Sequence, residues 1–156
     1  MGKHLVILFA LLALVGCKES GPTPVATEGT KEEARVIGVL TDYQGQWLVV
    51  NYFAEWCAPC IREIPLLNKL HHLTLGPTVL AVSYDELSDN KLQGLKDRYQ
   101  MQMPIVHELK GDWPFERPRV LPTSFVINPS GKLVAQHQGE LTDKDLKRWK
   151  SNYWQQ

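Results

Sequence analysis

The sequence has few cysteines, no net charge and no long apolar run. Three cysteines among 156 residues leave no second C-x-x-C pair, which counts against a four-thiolate zinc site. They also leave no spare disulfide to staple the fold. Lysine plus arginine and aspartate plus glutamate stand at 17 each. Such a balance provides no basic surface for nucleic acid. The longest apolar run, residues 5–16, is about a dozen residues, the size of a signal-peptide core and too short to span a bilayer as a helix. No internal repeat is present, and residues 18–30 are the only low-complexity stretch. With 44% hydrophobic residues, the remainder suffices for the core of one domain.

The rest of the chain is organised around Trp56-Cys57-Ala58-Pro59-Cys60. The nearly continuous apolar run at 47–54 reads as a central strand covered on both faces. A helical pattern with Ile61, Ile64, Leu67 and Leu70 on one face follows the cysteines. A C-x-x-C at a strand-to-helix junction points to thiol–disulfide chemistry. The first thiol lies at the helix N-terminus, where unpaired N–H groups and the dipole favour a thiolate. The second lies one turn on, close enough to close a small disulfide ring. Cys57 is therefore expected to be the exposed attacking sulfur and Cys60 the more buried resolving one. A purely structural disulfide is the plain alternative.

Further along, Pro65 is expected to bend the helix, and His71-His72 read as solvated residues near its end. Residues 78–84 form a second buried strand, completing a right-handed parallel βαβ unit. Ser88 is placed as the N-cap of a helix bearing Leu92, Leu95 and Tyr99. Asp85, Glu86, Asp89 and Asp97 read as solvated surface, and His107 as a packed or surface histidine. Residues 34–40 are read as an edge strand and 103–109 as a short strand or extended segment. The loop at 110–120 carries Trp113-Pro114-Phe115, read as a plug on the sheet edge. Residues 124–127 and 132–139 flank an Asn128-Pro129-Ser130-Gly131 turn as a hairpin. Thr142 caps a last helix with Leu146, Trp149 and Tyr153 on one face.

The N-terminus reads as an address. Residues 1–16 form a signal peptide, and small residues before Cys17 resemble the bacterial lipobox, in which that cysteine is lipidated. By the same resemblance, Lys18 favours the outer over the inner membrane. Residues 17–33 are a tether rich in Pro, Gly, Ser and Thr, and 34–156 form the domain.

The domain resembles the thioredoxin superfamily and, within it, the membrane-anchored TlpA/ResA-like thiol–disulfide oxidoreductases. The resemblance rests on the cysteine motif, Pro65, Leu121-Pro122-Thr123 before a strand, and the 128–132 hairpin turn. It implies an α/β thioredoxin-like fold, a central mixed sheet with helices on both faces and a cis-proline loop beside the C-x-x-C. It also implies that Trp56, Pro59, Leu121, Pro122 and Thr123 form the substrate-binding surface. The backbone around Pro122-Thr123 would hold a partner strand, and Trp56 would cover the site and limit solvent. Asn51 stands where thioredoxin has a buried aspartate. Glu63 matches a glutamate of the ResA-like branch and is expected to tune the thiols or relay the proton of Cys60.

The implied function is reduction of disulfides in envelope proteins, including cytochrome c maturation, by an enzyme with no cofactor beyond the Cys57–Cys60 disulfide. The implied partners are protein clients and a membrane thiol–disulfide electron donor, with the enzyme a periplasm-facing, lipid-anchored monomer. Oxidase or isomerase activity is the alternative direction. A copper-delivery module on the same scaffold would use C-x-x-x-C and a distant histidine, whereas His107 and His137 lack that context, so no metal site is expected. A peroxidase would carry its nucleophile outside a C-x-x-C.

Overall fold

A computed structural model describes residues 37–154. The signal peptide, Cys17, the tether and the first residues of the expected strand at 34–40 lie outside the described residues. Among those described, no helix is long and apolar enough to cross a membrane.

The chain runs β1 (Ile37–Val39), a 3₁₀ turn (Leu40–Tyr43), β2 (Leu48–Phe53), α1 (Ala58–His71), β3 (Thr78–Ser83), α2 (Asp89–Arg98), β4 (Ile105–Val106), β5 (Glu108–Lys110), β6 (Thr123–Ile127), β7 (Leu133–Gln138), α3 (Asp143–Trp149) and a π-helical turn (Lys150–Trp154). Five strands form the central mixed sheet in the order β4-β3-β2-β6-β7. β2, β3 and β4 are parallel, while β6 and β7 run antiparallel to their neighbours. All six residues of β2 and all five of β6 are buried, as central strands covered on both faces must be. β7 alternates between half-buried and exposed positions, the pattern of an edge strand with one wet face.

Of the expected edge strand at 34–40, Ile37–Val39 is extended and pairs with β5 in a separate two-stranded ribbon, and Leu40 already belongs to the 3₁₀ turn. The segment 103–109 likewise divides. β4 joins the main sheet beside β3, then the chain leaves at the buried His107 and pairs with β1 as β5. β4 is so short that the Val79 N–H, two residues before the Ala81 N–H that reaches Pro104, has no strand beside it. The Nδ1 of His71 accepts that hydrogen bond at 3.2 Å. His71 is therefore half-buried rather than solvated, and burial lowers its pKa, with His72 and Lys96 adding to the effect.

The helices do not flank both faces. The buried apolar residues of α1, α2 and α3 all belong to one cluster, with Val49, Phe53, Val79, Ala81 and Val126 from the sheet. The order β4-β3-β2 is the reason. Two successive right-handed crossovers stepping in the same direction put both connecting helices on the same side. The opposite face presents Val50, Tyr52, Leu80, Val82, Phe125 and Ile127. It is covered by Leu40 and Tyr43 of the 3₁₀ turn, Leu109 of the ribbon, and Trp113 and Phe115. The aromatic loop thus covers a face, not an edge. Phe115 stacks on Phe125 at 3.9 Å and 6°, and Tyr52 meets both rings edge-on.

Local signals set the element ends. Gly131 adopts φ +79° in the hairpin turn, a conformation costly for residues with a Cβ. The Asn128 Oδ1 accepts from the Ser130 and Lys132 N–H groups. Thr142 and Asp145 form a reciprocal capping box at α3. Ser88 occupies the N-cap of α2, but its side chain makes no cap hydrogen bond.

Replacing Phe115 by Ala should lower the unfolding free energy by about 2 kcal/mol in urea denaturation, because no helix substitutes for the lost ring. Phe115→Leu should recover about half of that loss. A loss within about 0.5 kcal/mol, the scale of a neutral surface change, would mean that the loop is not part of the core.

Candidate active site

The redox pair sits where β2 hands over to α1. Cys57 is the N-cap of α1 in an extended conformation, and its Sγ accepts from the Cys60 N–H at 3.3 Å. The sulfur thus occupies the place a capping oxygen usually takes, at the positive end of the helix. Pro59 sits in the first turn, where a missing N–H costs nothing. The two cysteines are joined in a disulfide with their Cα atoms 5.3 Å apart. Cys57 is less exposed than expected, at 5%, but remains the more accessible of the pair, since Cys60 is at 0%.

One turn below Cys60, Glu63 is 1% exposed. It is not a surface residue. Cys60, Glu63, Ile64, Leu67 and Leu70 are the buried positions of α1, and i, i+3 spacing puts Cys60 and Glu63 on one stripe. The Oε1 accepts from the Asn51 Nδ2 at 2.7 Å and the Oε2 from the Leu141 N–H at 2.7 Å. Asn51 also donates to the Ser124 Oγ at 2.9 Å, while its own Oδ1 has no hydrogen-bond partner. Burial pushes the Glu63 carboxyl up to about 7, against the downward pull of the two hydrogen bonds; Glu140 adds slightly to the rise.

The Leu121–Pro122 peptide is cis, and Leu121 packs against the cluster that contains both cysteines. The surroundings assign different roles to the three loop residues. Thr123 is 0% exposed, pairs with Tyr52 in the sheet and donates its hydroxyl to the Val120 carbonyl at 2.8 Å. The Pro122 carbonyl accepts from the Gly139 N–H at 2.8 Å. Thr123 and Pro122 are thus already committed within the fold. Leu121 is half-buried, and among the described residues its backbone groups carry no such bond.

Trp56 is 67% exposed, its indole N–H donating to the Asp85 carboxylate at 2.9 and 3.2 Å and its ring meeting Tyr84 edge-on at 6.5 Å. Asp85, read from the sequence as solvated surface, is therefore part of the site. Ser124 was not singled out either; its signal was a hydroxyl inside a strand that is otherwise apolar. His107 pairs through Nε2 with Asp89, and the His137 Nε2 lies 3.4 Å from the Glu140 carbonyl. Among the described residues, no three His, Cys, Asp or Glu side chains are grouped to hold a metal.

A mixed sheet with helices and a C-x-x-C disulfide at a helix N-terminus is the arrangement of a thioredoxin-like thiol–disulfide oxidoreductase. Comparison with known proteins agrees. Residues 27–136 match the AhpC/TSA family model, and the chain belongs to that family. It is 26% identical to the thiol-disulfide oxidoreductase ResA of Bacillus thuringiensis subsp. konkukian, with 96% of each chain covered. It is 34% identical to ResA of Geobacillus thermodenitrificans over 70% of this chain and 64% of that protein. Among solved structures, a secreted thiol-disulfide isomerase of Corynebacterium glutamicum superposes with a TM-score of 0.58 at 26% identity, covering 70% of this chain and 71% of the other. StoA of Bacillus subtilis shares the fold, with a TM-score of 0.55 at 23% identity over 68% and 83%.

The raised Glu63 carboxyl makes stability depend on pH. Below about 4.5, the ordinary value, the group is neutral in both the folded and unfolded chain. Between there and about 7, the unfolded chain releases a proton that the folded chain keeps. Stability therefore falls as pH rises through this window, by on the order of 3 kcal/mol from this group. Urea midpoints of the oxidised protein from pH 4 to 8 should fall accordingly, and Glu63→Gln should flatten the slope. Parallel profiles for the two proteins would show that Glu63 does not titrate as described.

Proposed function

We propose that this chain is an exported, lipid-anchored enzyme that reduces disulfides of envelope proteins, with apocytochrome c among its clients. The observation that carries the reading is the pairing of a dithiol at the mouth of α1 with a buried, proton-holding carboxyl on the same helix stripe.

In the reduced enzyme, the Cys57 thiolate attacks a client disulfide. One client sulfur bonds to Cys57 and the other leaves as a thiolate. Cys60, once deprotonated, attacks the Cys57 sulfur, so the second client sulfur leaves and the Cys57–Cys60 bond forms. Two electrons pass from the dithiol to the client, and its two thiolates take up protons. Glu63 is the proton acceptor for Cys60, directly or through water, because its carboxyl is neutral or charged according to pH near 7. While ionised it also raises the Cys60 thiol pKa, which keeps that thiol protonated until the mixed disulfide has formed. Leu121 offers its peptide groups to the client strand, and Trp56 supplies an exposed apolar contact beside the attacked bond. A membrane thiol–disulfide donor restores the dithiol by the same exchange.

The export address rests on residues 1–16 and the small-residue approach to Cys17. The secreted origin named for the Corynebacterium structure is consistent with that location. Lipidation of Cys17 leaves Cys57 and Cys60 as the only pair for chemistry, and Lys18 favours the outer membrane. The isomerase name of the same structure makes disulfide isomerisation the second reading.

Two measurements test the proposal. A Cys60→Ser enzyme expressed in its host should accumulate disulfide-linked clients on Cys57, c-type apocytochromes among them. Recovery of no envelope protein would refute the client assignment. The reduction potential should lie nearer about −270 mV than about −120 mV; a value at the oxidising end would reverse the direction.

A further inference from the structure

Three consecutive residues after β7 tie together the cis-proline loop, the surface of α1 and the buried carboxyl. The Gly139 N–H donates to the Pro122 carbonyl at 2.8 Å. The Glu140 carboxylate accepts the Arg62 guanidinium as a fork, with Nε at 3.1 and 3.2 Å and Nη2 at 2.6 Å. The Leu141 N–H donates to the Glu63 Oε2 at 2.7 Å. Arg62 and Glu63 are neighbours on α1. One holds the Glu140 side chain, and the other holds the peptide that follows it.

Both polar groups of that peptide are engaged. Its N–H is the one that reaches Glu63, and its carbonyl, that of Glu140, lies 3.4 Å from the His137 Nε2. The Leu141 side chain is buried in the cluster that contains the cysteines, which fixes one end of the peptide. Gly139, at φ +100°, makes the turn on the other side. Between them, the Arg62 fork holds Glu140 from outside. An ion pair as exposed as this one contributes little to stability. A forked guanidinium–carboxylate contact nevertheless fixes orientation as well as charge.

The other groups around Glu63 leave this contact as the one that bears on its charge. From β2 and β6 come the neutral Asn51 and Ser124. The helix itself contributes Cys60 and Arg62. The β7–α3 side contributes His137, Glu140 and Asp145, the last already bonded to Thr142 and Arg148. The Leu141 N–H favours the ionised carboxyl, whereas the Glu140 charge favours the neutral one. Arg62 therefore bears on Glu63 twice, by keeping the peptide in place and by offsetting the charge of Glu140.

We propose that Arg62 and Glu140 are positioning residues of the resolving step: their fork holds the Glu140–Leu141 peptide on Glu63 and keeps that carboxyl available for the proton of Cys60. The assignment rests on Glu63 as the proton acceptor and adds two residues that reach the reaction only through it.

The test is stopped-flow reaction of the reduced protein with excess dithiobis(nitrobenzoate). The Cys57 thiolate attacks the reagent, and one coloured thionitrobenzoate leaves. Cys60 then loses its proton and attacks the Cys57 sulfur, so the Cys57–Cys60 bond forms and a second thionitrobenzoate leaves. The first phase quickens with reagent concentration and the second does not. At about pH 6, Arg62→Ala should slow the second phase about threefold. The difference should close by about pH 9, where the carboxyl is ionised in both proteins. Arg62→Lys, which keeps the charge without the fork, should fall between the two. In a Glu63→Gln background, Arg62→Ala should change the second phase no further. Coinciding profiles for the parent and Arg62→Ala would overturn the proposal, as would equal slowing in the Glu63→Gln background. If Glu63→Gln alone leaves the second phase at the parent rate throughout, the proton-acceptor reading fails, and this assignment with it.

Discussion

The redox site depends on a carboxyl group carried into the core one helical turn below the disulfide. Burying Glu63 is expensive in its charged form, and the fold compensates only in part, with one amide from Asn51 and one from the Leu141 backbone. The outcome is a group poised near neutral pH instead of one fully ionised. Asn51 cannot take over the proton, because its amide has no acid–base chemistry in this range. Its part is orientation, since it bridges Glu63 on α1 to Ser124 on the neighbouring strand β6. The only ionisable side chain in this buried network is the one that shares a helix stripe with Cys60. Burial that weakens the fold therefore places a carboxyl poised near neutral pH on the stripe of the resolving thiol.

The second constraint is the asymmetry of the sheet. Two crossovers of the same hand, stepping in the same direction, place α1 and α2 together, and α3 joins them. The other face is left to a 3₁₀ turn, a two-stranded ribbon and an irregular aromatic loop. An irregular cover packs less completely than a helix, and a cavity of about 400 Å³ lies along it. The same loop supplies Arg117, which grips Tyr84 by ring and carbonyl. Tyr84 and Asp85 in turn hold the ring of Trp56, the residue before Cys57. The open face of the sheet and the exposed tryptophan at the thiol are thus parts of one connected surface.

Much of this was legible along the chain. The C-x-x-C marked its own site, because attacking and resolving sulfurs must lie one helical turn apart at the helix start. The βαβ unit, the Asn128–Gly131 turn and the Thr142 cap are local signals and are found where the sequence places them. The 34–40 and 103–109 segments were legible as short strands, but their pairing partners were not, for a physical reason. A short apolar run is equally suited to any open strand edge, and only the three-dimensional layout sent β1 to β5 and left Val79 for His71. The aromatic loop was assigned to an edge for the same reason, since apolar content does not say which apolar surface it meets.

The chain by itself determined the chemistry: two thiols at helical spacing and a glutamate on their stripe, set by local geometry, whereas a proline loop beside them was implied only by the family resemblance. Tertiary structure decided the environment of each group. Whether Glu63 is dry, whether Thr123 lies in the core and what holds the Trp56 ring are questions of burial and partners. Those partners come from residues far apart in sequence, Asn51, Asp85, Ser124 and Leu141, and only packing brings them together.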